Sequence, residues 1–224
     1  MKKISILLLM TMVVFFNACK NEKSSKDGEI ADDAVKATME GTKFQLDSTT
    51  STIAWHATKV GGEHRGTVQL KEGIIYVKEG QVTGGTFVID LNTIDCIDLE
   101  GEWKDKLERH LKGLEEENAD DFFNVRKYPT ASFTIEKISP NTGDPEANSI
   151  VYGDLTIKGV TKSASFKGMV QVEEDNLLLQ ATDIVIDRTE FGVNYNSKKI
   201  FPNVVDNIID DNFTIAAGFV GKKI

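Results

Sequence analysis

The sequence predicts an all-β protein, an antiparallel sandwich or barrel with one helical connection between strands. Three observations carry this. Apolar and polar residues alternate at period two through most of the chain from Phe44 onward. Turn signals rich in Gly, Asn and Asp divide that chain into roughly eight or nine short runs. One segment, "LEGEWKDKLERHLKGLEEENADDFF" (99–123), breaks the rhythm and takes up helical spacing. Alternating faces disfavour a parallel sheet covered on both sides, whose strands read as continuous apolar runs.

Residues 1–18 read as a targeting segment. Lys2 and Lys3 give a positive start, and Ile4 to Phe16 form an apolar run too short to span a bilayer. Ala18 then precedes Cys19, and the polar run "KNEKSSKDGE" follows. This resembles a bacterial lipoprotein signal, which implies that Cys19 is lipidated and becomes the new N-terminus. Phe16 and Asn17 depart from the aliphatic and small residues usual there. An ordinary secretory signal with an incidental cysteine is the plainer alternative. Lipidation would leave Cys96 a single thiol, read as a small buried hydrophobe. Residues 19–42 are expected to be the lipidated cysteine and a flexible polar tether, and residues 43–224 the folded domain. Lys20 behind the lipid points to sorting to the outer membrane, with the domain in the cell envelope and facing the periplasm.

Within the domain, "STIAWHATK" sets Ile53, Trp55 and Ala57 on one face. "GIIYVKEG" is a short strand closed by Gly80. In "QVTGGTFVIDL" the apolar parity switches across Gly84-Gly85, as a bulge or corner requires, before Phe87, Ile89 and Leu91. "ASFTIEKI" aligns Phe133 with Ile135. "SIVYGDLTIKG" aligns Val151, Leu155 and Ile157, and a Lys158-Gly159 turn leads to Phe166, Val170 and Val172. "NLLLQATDIVI" follows, and the closing "NFTIAAGFV" aligns Phe213, Ile215, Ala217 and Phe219. The stretch 139–149 is an exposed hairpin loop.

In the helical segment, Trp103, Leu107, His110, Leu111 and Leu114 form one apolar stripe. Glu102/Lys106, Asp105/Arg109 and Glu108/Lys112 are acid-then-base pairs four apart, each adding about 0.2–0.5 kcal/mol to an exposed helix. Gly113 is the expected stop. Such a stripe must bury against the sheet, so the helix is expected to lie across one end of a barrel.

The net charge of −9 and the lack of a basic block in the domain argue against nucleic-acid binding. The sequence carries no HExxH, P-loop or GxSxG motif, and the serines of "GVTKSASF" have no histidine near them in sequence. His56, His64, His110 and Cys96 are suitable metal donors, but nothing in their spacing supports a site. No catalytic residue, metal or cofactor is assigned, and a binding protein rather than an enzyme is expected. An eight-stranded barrel has room for packed side chains or for one slender ligand. The inward aromatics Trp55, Phe87, Phe133, Phe166, Phe213 and Phe219 suit either. His110 is either a satisfied, partly buried histidine or a contact for a ligand head group.

"IAWHATKVGGEHRGTV", "HLKG…DDFFNVRKYPTASF", "VYGDLTIKGVTKSASF" and "DRTEFGVNY" resemble the YceI-like, polyisoprenoid-binding family over about residues 43–222. The resemblance implies a lipocalin-like, eight-stranded antiparallel β-barrel with a helical inter-strand connection. It also implies a long apolar pocket for an isoprenoid or quinone-like tail, and roles in isoprenoid handling, transport or stress. The acidic "LEEENA" lengthens the usual link between helix and Asp-Phe-Phe. The candidate ligand-binding residues are Trp55, Phe87, Ile89, Phe133, Ile135, Leu155 and Phe166 from strands, Trp103, Leu107, His110 and Leu111 from the helix, and Phe122 and Phe123 after it. Of that last pair, one is expected to line the pocket while the other packs under the helix. The expected partners are an apolar lipid and, through the anchor, a membrane; the oligomeric state is open, a homodimer included. The alternatives in function are an envelope enzyme acting on a lipid and a ligand-free structural or stress-response module.

Overall fold

The computed structural model describes residues 34–224. Its strands, in chain order, are β1 (Val35–Lys36), β2 (Thr42–Leu46), β3 (Thr52–Lys59), β4 (Gly62–Lys78), β5 (Gln81–Cys96), β6 (Thr130–Pro140), β7 (Ser149–Ile157), β8 (Val160–Glu173), β9 (Asn176–Asp187) and β10 (Ile209–Lys223). The helix α1 (Gly101–Lys112) lies between β5 and β6.

Each long strand pairs antiparallel with its neighbours, and β6 pairs with β7 to close the ring. β2 and β3 share one position in it. β3 bridges β4 and β10 at one end, and β2 bridges the same two strands at the other. The result is a closed eight-stranded antiparallel barrel. β1 pairs with Lys137 and Ile138 of β6, beyond the point where β5 leaves that strand. Val35–Lys36, inside the stretch expected to be tether, forms this short strand of the sheet. The expected signal segment, Cys19 and the tether up to residue 33 lie outside the described residues.

Bulges explain what the alternation hid. In β4 the buried positions run Gly66, Val68, Leu70 and then Gly73, Ile75, Val77. The parity flips because Lys71 is left over between the pairs Leu70↔Ile89 and Glu72↔Val88. The sequence shows only the second half of this strand as "GIIYVKEG". In β5 the parity switch before Gly84-Gly85 is a bulge at Thr83, between Tyr76↔Gly84 and Val77↔Val82.

α1 ends as expected. Gly113 takes the left-handed conformation (φ 64°), and its N–H meets the carbonyls of Arg109 and His110. Glu108 and Lys112 pair at 3.3 Å, whereas Arg109 reaches past the helix end to Glu115. The helix docks on the end of β5 through polar contacts. Lys104 Nζ lies 2.9 Å from Asp95, and the Cys96 N–H donates to Glu108 Oε1 at 3.0 Å. Positions 104, 108 and 111 thus face the barrel, and that rotation carries Trp103 outward. Trp103 is 71% exposed with the Lys106 ammonium over its ring, which corrects the expectation that it points inward.

The β4–β5, β8–β9 and β2 end of the barrel is solid. Phe44, Leu46, Ile75, Ile135, Leu177 and Leu179 are each at most 3% exposed there. The opposite end carries α1, the β7–β8 turn and the long β9–β10 connection, and it is built differently.

Candidate functional site: an apolar cavity under the helical cap

The half of the barrel beneath α1 encloses a cavity of about 210 Å³, an order of magnitude above the ~10–15 Å³ that one water requires. Its wall comes from the inward positions of nearly every strand. Phe87, Phe133, Phe166 and Phe219 form a belt of rings, with centroids 6.2 Å apart for Phe87–Phe133, 5.3 Å for Phe133–Phe166 and 4.7 Å for Phe87–Phe219. Ala57, Ala131, Ala164 and Ala217 stand on the same wall. A methyl group fills far less of a layer than the Leu and Ile side chains of the solid half, so these four positions keep the belt from meeting in the middle.

The segment after α1 forms the cap. The Phe123 N–H donates to the Leu111 carbonyl at 3.1 Å, and the Val125 N–H to that of Lys112 at 2.9 Å. This folds residues 121–125 back under the helix end in bends rather than as extended chain, with Asn124 at φ 49°. Leu111, Phe122 and Phe123 consequently all line the cavity. The expectation that the two phenylalanines point to opposite sides is corrected, since it requires an extended backbone. Lys158, in the β7–β8 turn, ties the cap down. Its ammonium donates to the Asp120 carbonyl at 2.6 Å and to that of Gly192 at 3.2 Å. Burial pulls its pKa below the usual lysine range, against the pull of Asp120.

Of the sequence-predicted site residues, Trp55, Phe87, Ile89, Leu111, Phe122, Phe123, Phe133, Leu155 and Phe166 stand together on the cavity wall. Ile135 is fully buried but belongs to the solid half, on the far side of Phe133 along β6. Leu107 is half-buried and does not line the cavity. His110 sits behind Phe122, its Nε2 2.8 Å from Asp121 Oδ2 and its ring edge-on to Phe122 and Tyr195. It borders a polar cleft between α1 and Tyr195. His56 pairs with Glu63, so the four suitable metal donors do not converge; only His64 and Cys96 do.

Sequence reading missed Arg188, the one charged residue on the wall among the described residues. It is 5% exposed, and its guanidinium donates to the carbonyls of Val193 (2.8 Å), Asp210 (3.0 Å) and Ile209 (3.0 Å). Burial lowers its pKa, opposed by Asp211, Asp187 and Asp210. The three bonds close the β9–β10 connection over the cavity. The signal was "DRTEFGVNY", a charge directly after an apolar strand. The small residues on apolar strand faces were a second signal. Val60, Ile97, Ile200, Phe201 and Val205 on the turns and connections, and Val160 at the start of β8, are exposed apolar side chains of this same end. No helix among the described residues is long and apolar enough to cross a membrane.

A closed antiparallel barrel with an apolar hollow at one end defines a lipocalin-like container. The chain belongs to the YceI-like family, matching the YceI-like domain over residues 44–220. It is 49% identical over 47 residues to the UPF0312 protein of two Pseudomonas putida strains, a match covering 21% of this chain and 23% of those relatives, so only about a quarter of their length is spanned. Among solved structures it is similar to Burkholderia cenocepacia BcnA, with a TM-score of 0.59 at 18% identity over 78% of this chain and 98% of that one. It is also similar to a polyisoprenoid binding domain from Saccharophagus degradans implicated in plant cell wall breakdown, with a TM-score of 0.55 at 14% identity over 83% and 100%. At these identities the likeness is one of fold.

Proposed function

We propose that the protein binds, stores or carries a long-chain isoprenoid or a similar apolar lipid in the cavity under its helical cap. The observation that carries this reading is a wall of side chains that, among the described residues, is apolar save for Arg188. Water gains nothing from such a lining, while each methylene moved into it contributes about 0.8 kcal/mol. A single apolar chain can therefore be held with few polar contacts. The likeness in fold to a polyisoprenoid binding domain supports the same class of ligand.

Binding rather than catalysis fits the wall. The Arg188 guanidinium is engaged with backbone carbonyls, and no acid–base pair, nucleophile or metal donor set faces the cavity among the described residues. The resemblance around Cys19 supports a lipid-anchored form in the cell envelope, with the domain in the periplasm. Organic extraction of protein purified from its own cells, followed by mass spectrometry of the extract, tests the reading. An apolar chain lipid in stoichiometric amount is expected. Protein that is repeatedly free of lipid, or that chemically converts added lipid, would overturn it.

A further inference from the structure

We propose that His64, Cys96 and Asp98 form a binding site for a zinc-like divalent cation, at the α1 end of the β4–β5 pair. The site is separate from the lipid cavity and independent of the reading given to it.

The geometry follows from strand register. Gly66 pairs with Cys96, and the ladder continues through the Ile97 N–H to the Arg65 carbonyl at 3.0 Å. His64 therefore stands across from Asp98. Cys96 lies two residues back from Asp98, on the same face of the chain. His64 Nδ1 is 2.9 Å from Asp98 Oδ2, and Cys96 Sγ is 3.2 Å from Asp98 Oδ1. One ligand atom from each residue fits within 4.8 Å of the others. Zinc bonds of about 2.0–2.3 Å place tetrahedral donors about 3.3–3.7 Å apart, so the most separated of these atoms close by up to about 1 Å to hold an ion.

Its chemistry selects the cation. A thiolate and a carboxylate neutralise a divalent charge, and imidazole completes three ligands of the type zinc takes. Thiolate disfavours calcium and magnesium. Three protein ligands leave a fourth position for water. The way in is from the solvent side, where the side chains of His64 and Asp98 are 24% and 20% exposed while Cys96 is buried. Without metal, Asp98 accepts from the imidazole, the thiol and the Arg65 N–H together. On binding, the thiol proton leaves to solvent, the imidazole proton moves to Nε2, and both freed donor atoms bond the ion. The site is not visible in sequence spacing because its ligands come from two strands joined only by register.

The full-length chain, reduced and freed of metal with a chelator, is titrated with Zn²⁺ and, as a spectroscopic probe, Co²⁺. One equivalent is expected to bind, with a thiolate-to-cobalt charge-transfer band that Cys19→Ser keeps and Cys96→Ser loses. His64→Gln is expected to weaken Zn²⁺ binding by at least about 10-fold and to abolish the rise in melting temperature that Zn²⁺ gives the parent. Because His64 is partly exposed, this variant keeps the test decisive if Cys96→Ser fails to fold. No stoichiometric binding, a band that follows Cys19 rather than Cys96, or unchanged affinity in His64→Gln would overturn the site.

Discussion

The ring of Phe122 meets the imidazole of His110 edge-on, with centroids 4.9 Å apart, and both rings also pack on Tyr195. Phe122 thus joins the cap to the β9–β10 connection while presenting its other side to the cavity. Phe123 lines the cavity as well but is only half-buried. Phe122→Ala is expected to cost about 3–5 kcal/mol, and Phe123→Ala clearly less, with bound lipid reduced in both. Denaturant midpoints and the lipid retained through purification measure the two effects. Equal stability losses with unchanged lipid would contradict the arrangement.

Ala164 and Ala217 keep the hollow open, so a larger side chain there should fill it. Ala164→Phe is expected to lower retained lipid several-fold at unchanged or raised stability, since filling a void commonly adds about 0.5–2 kcal/mol. A loss of stability with lipid binding intact would mean that the wall is already packed at this position.

Lys158 is the clasp between the β7–β8 turn, the cap and the β9–β10 connection. Lys158→Met keeps most of the aliphatic stem and removes the donors, leaving the Asp120 and Gly192 carbonyls without this partner. A loss of about 1–3 kcal/mol is expected, with faster hydrogen exchange in residues 119–125 and faster lipid release. Exchange rates unchanged from the parent would exclude the clasp.

Asp187 caps the turn that presents Arg188, accepting from the Thr189 N–H at 2.9 Å and lying 2.8 Å from Lys199 Nζ. Burial pushes its carboxyl up, but the bonds from Lys199 and Thr189 outweigh this and hold it below the usual range. The folded carboxyl is therefore the stronger acid. Its stabilisation is complete above the unfolded value of about 3.9 and is lost as pH falls below it. Asp187→Asn is expected to lose about 1 kcal/mol at neutral pH, because Lys199 is half exposed. It should also show a shallower fall in stability between pH 4 and lower values. Parallel stability–pH curves for parent and variant would contradict the assignment.

The barrel was legible because period-two alternation survives in most strands. Phe213, Ile215, Ala217 and Phe219 share the face that the spacing assigns them, Gly113 ends the helix, and Lys158-Gly159 turns the β7–β8 hairpin. Trp103 was misplaced because the polar anchors Lys104 and Glu108, invisible to an apolar stripe, set the helix rotation. Lys71 hid half of β4 by reversing its parity. Whether the middle is empty depends on how small side chains from β3, β6, β8 and β10 come level with one another. That is a matter of register among distant segments, and local spacing does not encode it. Arg188 escaped for the same reason, since the carbonyls it binds lie 5 to 22 residues away.

The hollow under the cap is tested most directly by a high-resolution crystal structure of the protein purified from its own cells without delipidation. Continuous, elongated density is expected between the Phe133 and Phe166 rings and the cap residues Phe122 and Phe123, with no ordered water inside. Rings collapsed together across the barrel, or a chain of hydrogen-bonded waters in place of that density, would contradict a lipid-binding interior.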